Sequence, residues 1–375
     1  MAGAGASEGA APSPQNAQQA GLLALLQTMM ALALSPGAEA AYDSGVTHWF
    51  TFVTCVWGDR AALLLPTDWV LACFVAWLSM HYTMKNGKPL KYGSIRTYLF
   101  GVQSFYASCG LPGILRKANA GRTWAAMKCV EKFSEAVKRV MPITFRMVAM
   151  ICGIPIQGWD DEVFQVAVLL GFFFLLRVGE FCETGAYPGA EGDVGVRHLR
   201  LKDLVFSDAN RRPLIINSEK DAVRARFLHV NVHASKTDQT WAGCLRLCEA
   251  LPVDQSAVCV VFRAARFVAL ARERKQRPDG PLLRLASGVP ADDSWFRAAL
   301  KAVLGMLVID GVRVDPTPFN THSLRAGGAT RLFELGRTPQ FIAMMGRWTS
   351  DAVLNYIRTT DFDLFSGVAC AMAQP

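Results

Sequence analysis

Charge is scarce in this chain: 19% of its 375 residues are Asp, Glu, Lys or Arg, against 51% hydrophobic ones. That balance describes a globular protein with ample material for buried cores rather than a solvated, disordered chain. No Lys or Arg precedes Arg60, so the N-terminal end offers no cationic arm. The ten cysteines form no CxxC pair and no Cys/His cluster, and Cys244 and Cys248 stand one helical turn apart. A zinc site or a disulfide framework is therefore not expected, and a reducing compartment is. Long apolar runs are also missing. Val166 to Leu176 is too short to span a bilayer, and Leu22 to Leu34 is interrupted by Gln27 without a cationic flank, so neither a membrane segment nor a signal peptide is expected.

What is present suggests two domains, and the net charge of +8 favours an anionic partner. Residues 1–45 read as a leader, disordered through the Ala, Gly and Pro-rich start and at most weakly helical from Gly21 to Ala38. From Val46 to Cys109 the apolar positions recur at helical intervals: Trp49, Phe52, Val53, Val56, then Trp69, Leu71, Phe74, Val75 and Leu78. Ser94 is a candidate N-cap for the helix carrying Arg96, with Lys85, Lys88 and Lys91 as a basic approach to it. Between Arg116 and Arg146 eight cations (Arg116, Lys117, Arg122, Lys128, Lys132, Lys138, Arg139, Arg146) face only Glu131 and Glu135. Such a surplus suits neutralisation of phosphates, although any single Lys could equally belong to a solvated helix face.

Further on, DDEVFQVAVLLGFFFLLRVGEF reads as a buried helix opened by Asp160 or Asp161, with Arg177 directly on its buried end. An Arg against a core needs a partner, and Glu180 is the nearest. Leu201–Phe206, Pro213–Ile216 and Arg226–Val232 alternate as strands of a small antiparallel sheet, separated by the polar breaks SDANRR and NSEKDAV. Lys236 follows the third strand. Ser256–Gln276 and Asp292–Leu307 read as scaffold helices. From Thr321 to Arg358 a His, an Arg, a Trp and a Tyr fall within two further helices and their connection. Thr321 is a candidate N-cap, His322 and Arg325 lie three apart on one face, and Gly336 is a stop signal. Gly327 and Gly328 sit inside that helix, where close approach of another backbone would explain them. Thr338–Pro339 and Thr349–Ser350–Asp351 are further start signals, the last opening a helix with Tyr356 in its second turn.

The stretches THSLRAGGAT and GRWTSDAVLNYIR resemble box II of the tyrosine recombinases (phage integrases, Cre, Flp), in wording most like those of DIRS-type retrotransposons. The family pattern is His-x-x-Arg, then His or Trp, then a nucleophilic Tyr. The intervals, 23 positions from Arg325 to Trp348 and 8 from there to Tyr356, are close to the family's. The resemblance implies a mainly α fold with a small antiparallel β-sheet: a helical core-binding domain over 46–128, a basic linker over 129–142, and an α+β catalytic domain over 143–375. It implies Arg177 and Arg325 as phosphate ligands, Glu180 as the partner of Arg177, Tyr356 as nucleophile, and His322 as acceptor or relay of its proton. Trp348 becomes a phosphate donor packed beneath the Tyr segment. ASKTDQ resembles the family's hairpin element, which makes Lys236 the general acid with Lys220 as competitor. No metal or other cofactor is called for, and no carboxylate cluster accompanies the site. The implied partners are double-stranded DNA and three further copies in a tetramer on paired sites. In that assembly the tail after Asp361, with Leu364, Phe365, Val368 and Met372 on one stripe, docks on a neighbour. The implied location is the nucleus for a eukaryotic mobile element, or the cytoplasm and nucleoid for a bacterial or phage one. A type IB topoisomerase-like nicking-closing enzyme and a domesticated, non-catalytic DNA-binding protein are the rival readings.

Overall fold

In the computed structural model, which describes residues 36–58, 66–81, 89–111, 113–134, 140–183, 198–233 and 243–358, the chain divides into two units between Val137 and Lys138. No described helix is long and apolar enough to cross a membrane.

The first unit is helical: α1 (Pro36–Phe52) runs into one π turn (Val53–Trp57), followed by α2 (Asp68–His81), α3 (Tyr92–Ser108) and α4 (Gly121–Phe133). Trp49, Phe52, Leu71, Phe74, Leu78, Ile95 and Leu99 meet in its core. There the Trp49 indole crosses Phe74 edge-on at 5.1 Å and donates to the Tyr106 hydroxyl at 3.2 Å, so its one polar atom is satisfied. Asp68 opens α2 and also caps α4, accepting from the Arg122 and Thr123 backbone N–H groups at 2.9 Å each. The expected start at residue 46 falls inside α1. The expected linker start at 129 falls inside α4, which extends to Phe133. Val56 and Trp69 match the helical spacing but are 52% and 58% exposed, lying beside the buried stripes. Ser94 does not cap α3: the helix begins at Tyr92, with Lys91 at the N-cap and no side-chain bond there.

The second unit packs helices around α6 (Trp159–Phe173), with α5 (Phe145–Cys152) before it and the single turn α7 (Val178–Phe181) after. Asp161 closes the start of α6 by accepting from the backbone of Gln157 and Gly158. The body of α6 is buried as expected but not wholly apolar. Glu162 and Gln165 are buried with it and share Arg263 at 3.2 and 2.9 Å. Such a group is tolerated in a core only when paired.

The sheet comprises β1 (Leu204–Ser207), β2 (Pro213–Leu214), β3 (Phe227–Val232) and β4 (Cys244–Glu249), antiparallel in the order β2-β1-β3-β4. The first strand starts later than expected because Leu201–Asp203 is a 3-10 turn, closed by the Asp203 carboxylate on the Arg200 N–H at 2.7 Å. The expected polar break after Ile216 holds α8 (Glu219–Arg224), started by the Ser218 and Asp221 capping pair. Cys244 and Cys248 are not a helical pair. They stand on β4, opposite Val232 and Leu228. A separation of four residues is even, so it puts both side chains on one face of a strand as readily as on one face of a helix.

The remaining helices are α9 (Val260–Glu273), α10 (Asp293–Met306), α11 (His322–Glu334) and α12 (Pro339–Gly346), with a short β5 (Val308–Ile309) and β6 (Val312–Arg313) hairpin between α10 and α11. Thr338 caps α12 by accepting from Phe341, with Pro339 in its first turn. Gly327 and Gly328 explain how α11 reaches the core. A Cβ on Gly327 would lie 1.9 Å from the Ile143 carbonyl oxygen, and one on Gly328 would lie 2.2 Å from that of Phe172. Both obstacles are backbone and cannot rotate aside. Alanine gains about 1 kcal/mol of helix propensity, whereas overpacking costs about 1–3 kcal/mol or more, and here the upper end applies. Gly327→Ala and Gly328→Ala should each lose about 2 kcal/mol or more in urea unfolding; a neutral result at either position would contradict this contact.

Candidate active site

The site grows from the end of α6. That helix stops at Phe173, Leu175 turns the chain with φ of 51°, and Phe174, Leu175 and Leu176 are buried in a non-helical strut. Arg177 is therefore not a cation on the C-terminus of the long helix, as the sequence suggests, but the N-cap of α7. Its extended backbone lets Glu180 reach back one turn. The Glu180 carboxylate accepts from the Arg177 backbone N–H at 2.8 Å and from its guanidinium at 2.9 Å.

Glu180 is only 2% exposed and has a second cationic partner: Arg347 donates to its other carboxylate oxygen, Oε2, at 2.5 Å. Sequence reasoning missed Arg347. It caps α12 in the left-handed conformation, φ 60° and ψ 41°, a geometry that costs a non-glycine residue about 1–2 kcal/mol. Its guanidinium also donates to the Phe174 and Leu175 carbonyls at 3.4 and 3.3 Å, so it ties the turn after α12 to the strut before Arg177. Burial pushes its pKa below the ordinary arginine value.

Arg325 enters from the first turn of α11 and is fully buried. It donates to the carbonyls of Leu175, within the strut, and of Gly346, beside Arg347. Its guanidinium lies 4.1 Å from the centre of the Trp348 ring and 5.6 Å from that of Tyr356. Those two rings are 4.7 Å apart. Burial pushes the Arg325 pKa down to about 9; Arg177 and Arg347 push the same way, while Glu180 and Tyr356 oppose. Arg177, Arg325 and Arg347 thus surround one carboxylate, and the cluster carries an excess of two positive charges. Of the three, Arg177 has one guanidinium nitrogen engaged by Glu180, and the rest of such a fork suits an oxyanion such as a phosphate group.

Tyr356 is half-buried, and the expectation of a second helical turn is corrected. The segment is a 3-10 turn, Asp351–Asn355, started by the Ser350 hydroxyl, and Tyr356 is its C-cap. Its carbonyl accepts from the Thr330 hydroxyl at 3.3 Å, which fastens the turn to α11. His322 stands at the exposed start of α11, one turn before Arg325. Thr321 makes no capping bond there. Asn320 does, its side-chain oxygen accepting from the His322 N–H at 2.8 Å.

Lys236 lies outside the described residues, between the paired ends of β3 and β4 at Val232 and Cys244. Arg246 of β4 donates to the Met344 and Met345 carbonyls at 2.8 and 3.3 Å, which anchors that strand to the end of α12 beside Arg347. Lys220 is exposed on α8. In the first unit Lys91, Arg96, Arg116, Lys117, Arg122 and Lys128 are all exposed. Lys85, Lys88, Lys138 and Arg139 fall outside the described residues, as does the tail after Asp361. Arg146 is already paired with Asp310 at 2.8 Å.

No family model and no curated protein sequence matches this chain. Among solved structures, the XerH site-specific recombinase in a post-cleavage complex with a palindromic difH substrate aligns over 90% of this chain and 79% of that one, with a TM-score of 0.55 at 10% identity. The pre-cleavage XerH complex aligns over 89% and 78%, with a TM-score of 0.51 at 10% identity. A lambda integrase dimer bound to a core site aligns over 90% and 94%, with a TM-score of 0.49 at 15% identity. The fold is that of the tyrosine recombinases, mainly helical with a small antiparallel sheet.

The charge imbalance has a direct consequence for stability. Removing Glu180 takes the carboxylate partner from both Arg177 and Arg347, and breaking a buried pair costs about 3–5 kcal/mol. Removing Arg325 reduces the imbalance, which offsets part of the roughly 1–3 kcal/mol lost with its bonds to the Leu175 and Gly346 carbonyls, so the net loss should be the smaller one. Urea unfolding of Glu180→Gln and Arg325→Met should show that contrast, and equal losses would contradict a net-positive cluster.

Proposed function

We propose that this protein is a site-specific DNA recombinase, serving a mobile element, that cleaves and rejoins strands through a 3′-phosphotyrosine. The observation that carries the reading is the gathering of Arg325, Arg177 and Glu180 with the Trp348 and Tyr356 rings. These side chains converge from four separate segments. The XerH structure was obtained with its DNA substrate, and the exposed cations of the first unit here suit phosphate contacts of the same kind.

In this mechanism the Tyr356 oxygen attacks the scissile phosphorus, forming the tyrosyl O–P bond as the P–O5′ bond breaks. His322 takes or relays the phenolic proton, and Lys236 donates a proton to the departing 5′ oxygen. Arg177 and Arg325 hold the non-bridging oxygens, where negative charge grows in the transition state, and the Trp348 indole N–H is a further donor. Attack by the 5′-hydroxyl of a partner strand reverses the chemistry on a new junction. The bond energy stays in the phosphotyrosine, so the reading requires neither metal nor nucleotide. Support for Lys236 comes from β4, the strand that follows it in sequence, which Arg246 ties to the end of α12 beside Arg347.

The working assembly in this reading is a tetramer on paired duplex sites, with the tail after Asp361 docked on a neighbouring copy. For a eukaryotic element the location is the nucleus.

A nicked half-site, from which the released flank diffuses away, tests the chemistry. In EDTA the wild type should accumulate a detergent-resistant protein–DNA adduct, while Tyr356→Phe binds the same DNA and forms none. An adduct with the Phe variant would remove Tyr356 as nucleophile, and an absolute need for magnesium would overturn the metal-free mechanism. Relaxation of supercoiled plasmid without strand exchange between sites would point to a nicking-closing enzyme instead.

A further inference from the structure

Arg347 takes no part in the mechanism above, yet it is the most constrained residue in the cluster. A left-handed backbone at a long side chain is uncommon, and such outliers persist where surrounding structure compels them. Here the compelling contacts are visible. The guanidinium is 9% exposed and spans from Glu180 to the carbonyls of Phe174, Leu175 and Met345. Its two terminal nitrogens already serve four protein acceptors, whereas those of Arg325 serve two.

Its effect falls on Arg177. Glu180 Oε2 accepts from both the Arg177 backbone N–H and Arg347, while Oε1 accepts from the Arg177 guanidinium. With Arg347 in place, the carboxylate's charge is divided between two cations, and one Arg177 nitrogen is engaged at 2.9 Å while the rest of its fork is left for another ligand. Without Arg347 the carboxylate is free to take Arg177 in a two-pronged pair, with both oxygens on the fork that a phosphate needs. The Leu175 carbonyl, shared by Arg325 and Arg347, also loses one of the groups that fix the strut.

We propose that Arg347 is a positioning residue for phosphate transfer: it occupies Glu180 so that the Arg177 guanidinium stays directed at the scissile phosphate. This rests on the recombinase reading and adds to it a residue that acts through another and does not touch DNA.

The test is single-turnover cleavage of the nicked half-site by full-length protein, measured across DNA concentrations. Arg347→Met and Arg347→Gly should lower the saturated rate roughly 10- to 100-fold, the range for loss of a supporting contact behind a catalytic group. The DNA concentration giving half that rate should stay unchanged, because binding is spread over many phosphates. The glycine variant separates the guanidinium from the backbone, since glycine accepts this conformation without strain. It should unfold closer to the wild-type temperature than the methionine variant and still cleave slowly. Arg347→Lys should recover part of the rate through one charge-assisted bond. In a Glu180→Gln background, adding Arg347→Met should cost much less than it does alone.

Normal cleavage by the glycine variant would overturn the proposal, and so would losses that simply multiply in the double variant. A raised half-saturating DNA concentration with an unchanged saturated rate would make Arg347 a DNA contact instead. If the wild type formed no adduct, the recombinase reading would fall on its own. The same four proteins would then decide the Arg347–Glu180 link by thermal unfolding, where additive losses would refute it.

Discussion

A single carboxylate, Glu180, holds this site together. It is buried, it is shared between Arg177 and Arg347, and a third guanidinium, that of Arg325, stands close enough to feel it. Buried like charges repel strongly, so three arginines around one acid need further fixation by hydrogen bonds. The backbone supplies most of that fixation. Phe174 and Leu175 lie just beyond α6, Met345 and Gly346 are the last residues of α12, and all four offer carbonyl oxygens to the arginine forks. The break after α6 and the left-handed turn after α12 therefore belong to the site as much as the side chains do.

The scaffold serves that geometry. Gly327 and Gly328 let α11 press against the backbone at Ile143 and Phe172, which carries Arg325 into the core beside the strut. Thr330, on the same helix, donates to the Tyr356 carbonyl and accepts from the Arg358 N–H at 2.9 Å, and so holds the chain on both sides of Ile357. Arg246 of β4 joins the sheet to the end of α12. Each link is a side chain or a close backbone approach between segments distant in sequence.

That distinction explains what the sequence made legible. Arg177 with Glu180, and His322 with Arg325, are local pairs whose spacing carries their relation. Trp348 and Tyr356 follow in an order that a motif can preserve. The glycine pair in α11 was legible because its propensity cost demands a reason, and the reason is contact. Arg347 was not, because its meaning depends on a carboxylate 167 positions earlier and on a backbone angle no local rule assigns to arginine. The fourth strand was hidden for a different reason: a spacing of four fits a helix and a strand alike. The cap on α11 was misplaced by one residue, to Thr321, since Asn and Thr are both good caps and only the observed bond to His322 separates them. The stop at Phe173 was masked by an apolar run that continues through Leu176 in another conformation.

The central claim, that Arg177 and Arg325 present a phosphate to the Tyr356 oxygen, is tested most directly by the chemical identity of the trapped adduct. Digesting the covalent complex with nuclease and protease and fragmenting the product by mass spectrometry should place one nucleotide on the peptide containing Asn355, Tyr356 and Ile357. The account predicts attachment at the Tyr356 oxygen through the nucleotide's 3′-phosphate, leaving a free 5′-hydroxyl on the released strand. A nucleotide on another side chain, or a linkage through a 5′-phosphate, would contradict it.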